Sequence, residues 1–228
     1  SDEAQRMETE GWLLRAACID LITALNESLI EACRIIRLSR TQRDSKLKPF
    51  LDEAAIEEHM SKIETDLMRA HIPDLLKELS NGMERPLAYE QEIRSLNQLR
   101  NCLIHRNGLV SKRDVNTTDV PALRLCYMSH KIYVREGEVE HEVDRELKAR
   151  SPIINAMMTR PVPKTVDYPV GSVIGLTTDV FNDVAFTCYL FLGALRTDVY
   201  SALGSSPKAL GPEVVLVGTA QGTKPIGD

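Results

Sequence analysis

Arg100, Asn101 and His105 are the residues of this chain whose types and spacing point most directly to chemistry. They lie in the stretch from Glu90 to Val110, EQEIRSLNQLRNCLIHRNGLV. Wound as a helix at about 100° per residue, this stretch places Ile93, Leu96, Leu99, Leu103 and Ile104 on one apolar arc. Arg100 projects from inside that arc, between Leu103 and Ile104, where a leucine would be expected. A guanidinium cannot shed its charge, so partial burial calls for an anionic partner, a carboxylate or a phosphate, that accepts two parallel hydrogen bonds. Asn101 and His105 are one helical turn apart and share the edge of the arc. Asn107-Gly108 offers the left-handed exit that ends helices. His105 then falls in the last turn, where the negative end of the helix dipole favours imidazolium. The combination reads as an anion site equipped with a titratable group.

The order Arg, Asn, three residues, His is represented here by Arg100-Asn101-Cys102-Leu103-Ile104-His105 and is closed by HRNGLV. It resembles the signature of the HEPN superfamily, helical domains of which many are metal-independent ribonucleases. As a helix pattern the resemblance extends from Trp12 to Leu203; specific identity is carried by about twenty residues around the motif. It implies a mainly α fold, a HEPN-like helical bundle with a short β-hairpin or irregular insertion after the motif helix. It also implies an endoribonuclease working in prokaryotic toxin–antitoxin systems or anti-phage defence.

RNA supplies its own nucleophile, the 2′-hydroxyl. Cleavage therefore needs a base for that proton, an acid for the departing 5′-oxygen and a cation for the phosphorane charge. His105 suits the proton work near neutral pH. Arg100 suits the charge, and Asn101 can position the phosphate or hold the His105 ring. A 2′,3′-cyclic phosphate is the expected product, with no metal and no other cofactor. The resemblance further implies a homodimer in which two motifs meet and a second copy supplies the other proton-transfer group. An antitoxin or regulatory protein is a further partner of that kind of system. Toxins of the family that are paired with nucleotidyltransferase antitoxins often carry a Tyr two residues after the His. Asn107 stands there in this chain, which puts regulation by nucleotidylation in doubt.

The same residues admit a non-catalytic reading. Arg100 would make a salt bridge within a bundle, to Glu92 of a partner helix or another acid, and His105 would merely cap a helix end. The chain would then be a HEPN-like dimerisation or binding module for a protein or nucleotide partner. Asn101 favours the catalytic reading, because a structural ion pair does not need it.

These residues need a scaffold, and 228 residues with 43% hydrophobic content can bury one sizeable core. The expected organisation is a polar segment over 1–10, a single helical domain over 11–204 with an insertion at about 112–170, and a loose tail over 205–228 rich in Gly, Pro and small residues. A net charge of −5 excludes a general nucleic-acid coat, so RNA contact must come from a local patch. The candidates to hold substrate are Arg106 and the basic run Arg34, Arg37, Arg40 and Arg43, which continues through Lys46 and Lys48. That run reads equally well as a solvated helix end whose cations suit the dipole.

The five cysteines are odd in number and widely spaced, with no CxxC pair, which fits a reducing cytoplasm. The longest apolar run, Val184 to Leu195, is about half of what a membrane span requires. A Gly-rich phosphate loop, GxSxG and HExxH are all absent from the sequence, and no metal site is expected.

Along the chain, periodicity predicts one long helix from Trp12 through Ile36 and a second over Phe50 to Arg69. Pro73 breaks the pattern, which resumes through Leu75 and Leu76 to a stop at Asn81-Gly82. His59 and His71 read as surface or boundary residues without metal-ligand spacing. After the motif helix, Leu123–Tyr127 and Lys131–Arg135 alternate around Met-Ser-His as a short hairpin. A connector stiffened by Pro152, Pro161, Pro163 and Pro169 leads to a last helix from Thr177/Thr178 to Leu203, apolar on most sides and so expected to be covered on all of them.

Overall fold

The computed structural model describes residues 2–44, 53–136, 139–143 and 156–204. Within them the chain is mainly helical, with five α-helices and an antiparallel hairpin inserted before the last. Two compact units are present. A helical unit takes in the described residues up to 129 and from 163 to 204, and a second takes in those within 130–162.

The first helix, α1 (Asp2–Asp44), starts well before Trp12. The segment over 2–10 has no apolar stripe to betray it, and its residues are exposed along the helix. Further on, Cys18, Ile22, Leu25, Leu29, Cys33 and Ile36 recur at helical spacing and are buried, and α1 packs against all four other helices.

Helix α2 (Glu53–Met68) matches the second periodic stretch, and α3 (Ile72–Met83) begins where Pro73 predicts a break. Pro73 lies in the first turn of α3, where its missing N–H removes no helix bond. Gly82, expected as a stop, instead lies inside the last turn. A Cβ on Gly82 would come within 2.7 Å of Ile36 Cγ2, so this glycine lets α3 approach α1. The left-handed C-cap is Glu84, at φ 56°.

The motif helix is α4 (Glu90–Arg106). Ile93, Leu96, Leu99 and Leu103 are buried as their spacing predicts, joined by Cys102. Ile104 is 41% exposed and does not belong to the core arc. The buried sector is centred on Leu96, Leu99 and Leu103, which turns Ile104 and Arg100 to its margin.

The hairpin differs from expectation. Met128-Ser129-His130 is no turn; strand β1 (Ala122–Glu136) runs straight through it. Met128 and Ser129 bond to the last helix, with the Met128 N–H donating to Thr187 Oγ1 at 2.8 Å and Ser129 Oγ donating to Asp183 at 2.8 Å. Asp183, 3% exposed, also accepts from Lys164 Nζ at 3.1 Å. β1 pairs with β2 (Val139–Val143) from Ile132↔Val143 to Glu136↔Val139. The prolines expected to stiffen a connector fall partly in a strand, β3 (Ala156–Pro169), at the edge of a sheet ordered β2-β1-β3. An edge strand tolerates the missing donors of Pro161 and Pro163; Pro152 lies outside the described residues.

Helix α5 (Thr178–Ala202) is capped by Thr177, whose Oγ1 accepts from the Val180 N–H at 3.3 Å. It buries Val184, Cys188, Phe191, Leu195 and Val199 but leaves Tyr189 and Tyr200 exposed, so it is not covered all round by the described residues. Its outer face carries Asn182, Arg196 and Thr197 alongside these tyrosines, which have hydroxyls to offer water. No helix among the described residues is long and apolar enough to cross a membrane. Lys46, Lys48 and the tail over 205–228 lie outside the described residues.

Candidate active site

Two devices set the end of α4. Burial of Leu99, Cys102 and Leu103 fixes the helix's rotation. The left-handed exit predicted for Asn107-Gly108 is present, with φ 53° and 82°, and both backbone N–H groups turn back to the Cys102 carbonyl. Arg15 of α1 donates to Asn107 Oδ1, and the backbone of Gly108 to Val110 is laced to Gly171–Ile174 by hydrogen bonds of 2.8–2.9 Å. The motif's last turn is therefore held from both sides.

Arg100 and Asn101 are half-buried and His105 is exposed. Arg100 Nε donates to Thr23 Oγ1 of α1 at 3.3 Å. Among the described residues no carboxylate lies within 4 Å of its guanidinium, so the expected anionic partner is not provided by these parts of the chain. Arg100, Asn101 and His105 instead line one cavity of about 760 Å³. Asn97 and Arg106 complete the α4 side, α1 contributes Asn26, and the α2–α3 junction contributes Arg69, His71 and Asp74.

A second cavity, of about 660 Å³, is also lined by His105 and Arg106, together with Ser111, Lys112 and Arg113. His105 thus lines two openings. Arg106 shares that position but is engaged. It pairs with Asp114, whose side chain is 5% exposed and also accepts from the Ser111 N–H and Oγ at 2.8 Å each. Asp114 closes a capping box on the 3-10 turn Lys112–Asp114, so Arg106 ties the motif helix to the segment that follows it. The adjoining Cys102 thiol is pushed up by burial and by Asp114, an effect opposed by Arg106.

The basic run of α1 lies elsewhere. Arg34 pairs with Glu31 at 2.8 Å, Arg37 forks onto both oxygens of Glu78, and Arg40 donates to the Asn81 carbonyl at 2.7 Å. Thr23, the contact of Arg100, is about 17 Å along α1 from Arg34 at 1.5 Å per residue. Arg37 and Arg40 line a separate cavity with His59 and Lys62. The Arg43 side chain lies outside the described residues.

Sequence reasoning missed His71, Asp74, Asn26 and Asn97. Asn97 was readable, since it precedes Asn101 and His105 on one face at successive helical turns. His71 was not, because only the packing of α3 on α4 brings it to the motif. Among the described residues no group of three or more His, Cys, Asp or Glu is placed to hold a metal ion. In comparisons with protein-family models, curated proteins and solved structures, the chain matches none.

Proposed function

We propose that this chain is a metal-independent endoribonuclease of HEPN type, cleaving RNA by attack of the 2′-hydroxyl. The observation that carries the reading is the shared cavity, in which an arginine without a carboxylate partner among the described residues stands with Asn101 and an exposed His105. A purely structural arginine at this depth would be expected to meet a carboxylate. Arg100 would stabilise the charge on the phosphorane, Asn101 would orient the phosphate, and His105 would transfer a proton. The cationic rim formed by Lys112 and Arg113 beyond His105 is suited to the next phosphate of a bound strand.

A two-fold pair of chains fits the exposed apolar residues beside the motif, Ile104, Leu109 and Val173, the last two joined in an isolated bridge. Such a nuclease belongs to a toxin–antitoxin or anti-phage setting, with an antitoxin or regulatory protein as a further partner. Purified protein should nick RNA in the presence of EDTA, and Arg100→Ala and His105→Ala should each slow cleavage about 100-fold or more while retaining the parent's circular dichroism. Cleavage at the parent's rate in either variant would count against the assignment. A chain inert towards RNA would leave the dimerisation or binding module as the better reading.

A further inference from the structure

Cleavage by 2′-hydroxyl attack takes two proton transfers, and His105 can serve only one of them in a given turnover. A second copy's His105 is one source of the other group; the cavity itself contains a different one. His71 lines the same opening as Arg100, Asn101 and His105. It is the N-cap residue of α3, with an extended backbone at φ −89° and ψ 157°. Its carbonyl accepts from the Asp74 and Leu75 N–H groups at 2.9 and 3.0 Å, so the backbone is pinned there. Its side chain makes no capping bond. Neither the His71 nor the His105 ring is hydrogen-bonded among the described residues, whereas the His59 ring lies 3.4 Å from Thr41 Oγ1.

We infer that His71 is the second proton-transfer group of this site, so that one chain carries both the acid and the base for cleaving an RNA phosphodiester. The inference rests on the ribonuclease reading above and adds a residue and a division of labour to it. One imidazole removes the 2′-hydroxyl proton as the 2′-oxygen bonds to phosphorus. The other gives its proton to the 5′-oxygen as the phosphorus–5′-oxygen bond breaks, leaving a 2′,3′-cyclic phosphate and a 5′-hydroxyl. Each ring ends the turnover in the protonation state in which the other began, and solvent resets both. The charged and titratable groups around His71 in this cavity are Arg69 and Asp74 from the α2–α3 junction and Arg100, His105 and Arg106 from α4; Asn26 is the α1 contribution and is neutral.

The test is the pH–rate profile of RNA cleavage by the parent, His71→Ala, His71→Gln and His105→Ala, with thermal unfolding measured on each. Because the His71 side chain caps nothing, its variants should melt with the parent. The parent should give a bell with two limbs. Each His71 variant should lose one limb and about 100-fold or more in rate, and His105→Ala should lose the other limb. A ribonucleoside 3′-(4-nitrophenyl phosphate), whose leaving group needs no acid, should restore the rate of one of the two alanine variants and not of the other. A parent inert towards RNA defeats the ribonuclease reading and this inference with it. An active parent whose His71 variants keep both limbs, whatever their rates, defeats the inference alone and returns the second group to a second copy. Equal behaviour of both alanine variants on the activated ester also overturns the division of labour.

Discussion

Arg100 and Thr23 are joined from Nε to Oγ1 at 3.3 Å, so the guanidinium at the margin of the motif helix's buried face meets a hydroxyl of α1. That pairing separates the two readings of Arg100 by energy. Losing one long hydrogen bond from a half-buried arginine should cost under about 1.5 kcal/mol, whereas breaking a buried ion pair costs about 3 kcal/mol or more. Urea unfolding of Arg100→Ala should therefore show a midpoint close to the parent's. A loss near 3 kcal/mol would mean that Arg100 serves the fold.

A guanidinium left with a hydroxyl still prefers an anion. Sulfate or inorganic phosphate should raise the parent's melting temperature and leave that of Arg100→Ala unmoved; an anion at a hundred times its dissociation constant stabilises by about 2.7 kcal/mol. Sedimentation should give a dimer for the parent and a monomer for Ile104→Glu, which places a charge on an exposed apolar position beside the motif. A monomeric parent, or an equal anion response in both chains, would oppose this account.

Asp114 offers the contrasting case. Its carboxylate is 5% exposed on the side chain, pairs with Arg106 and caps the turn at Ser111. Asp114→Ala should cost about 3 kcal/mol in denaturant unfolding, because it leaves a half-buried cation unpaired. A change within about 0.5 kcal/mol would show that the pair does not hold the motif's last turn in place.

Burial pushes the Cys18, Cys33 and Cys188 thiols up to about 12. A thiol raised in the fold stays protonated while the unfolded chain begins to ionise near 9. Its contribution to stability is therefore present below about pH 9 and is lost as the pH climbs towards 12. Maleimide at pH 8 should modify the half-buried Cys126 first and reach these three only on unfolding, with stability falling above pH 9. Mass spectrometry showing early labelling of Cys18 or Cys188 would contradict their placement in the core.

What was legible in the sequence follows from which signals are local. The motif helix and its Asn107-Gly108 exit could be read because periodicity and a left-handed turn need no distant partner. Ile104 was misplaced because an arc drawn from spacing has no fixed edge until neighbouring helices choose one. Met128-Ser129-His130 looked like a turn because its polar groups had no visible partner, and Asp183 and Thr187 arrive from a helix more than fifty residues away. The basic run on α1 looked available for the same reason, since Glu78 and the Asn81 carbonyl come from another helix. His71 could not be linked to His105 by any sequence spacing, since it reaches the cavity from another helix.

The most direct measurement on the central claim is the chemistry of the RNA ends made by the purified parent in EDTA. Attack by the 2′-hydroxyl must leave 2′,3′-cyclic phosphate and 5′-hydroxyl termini, and these should form about 100-fold or more slowly with Arg100→Ala and His105→Ala. Termini with 3′-hydroxyl and 5′-phosphate, or products formed at the parent's rate in both variants, would contradict it.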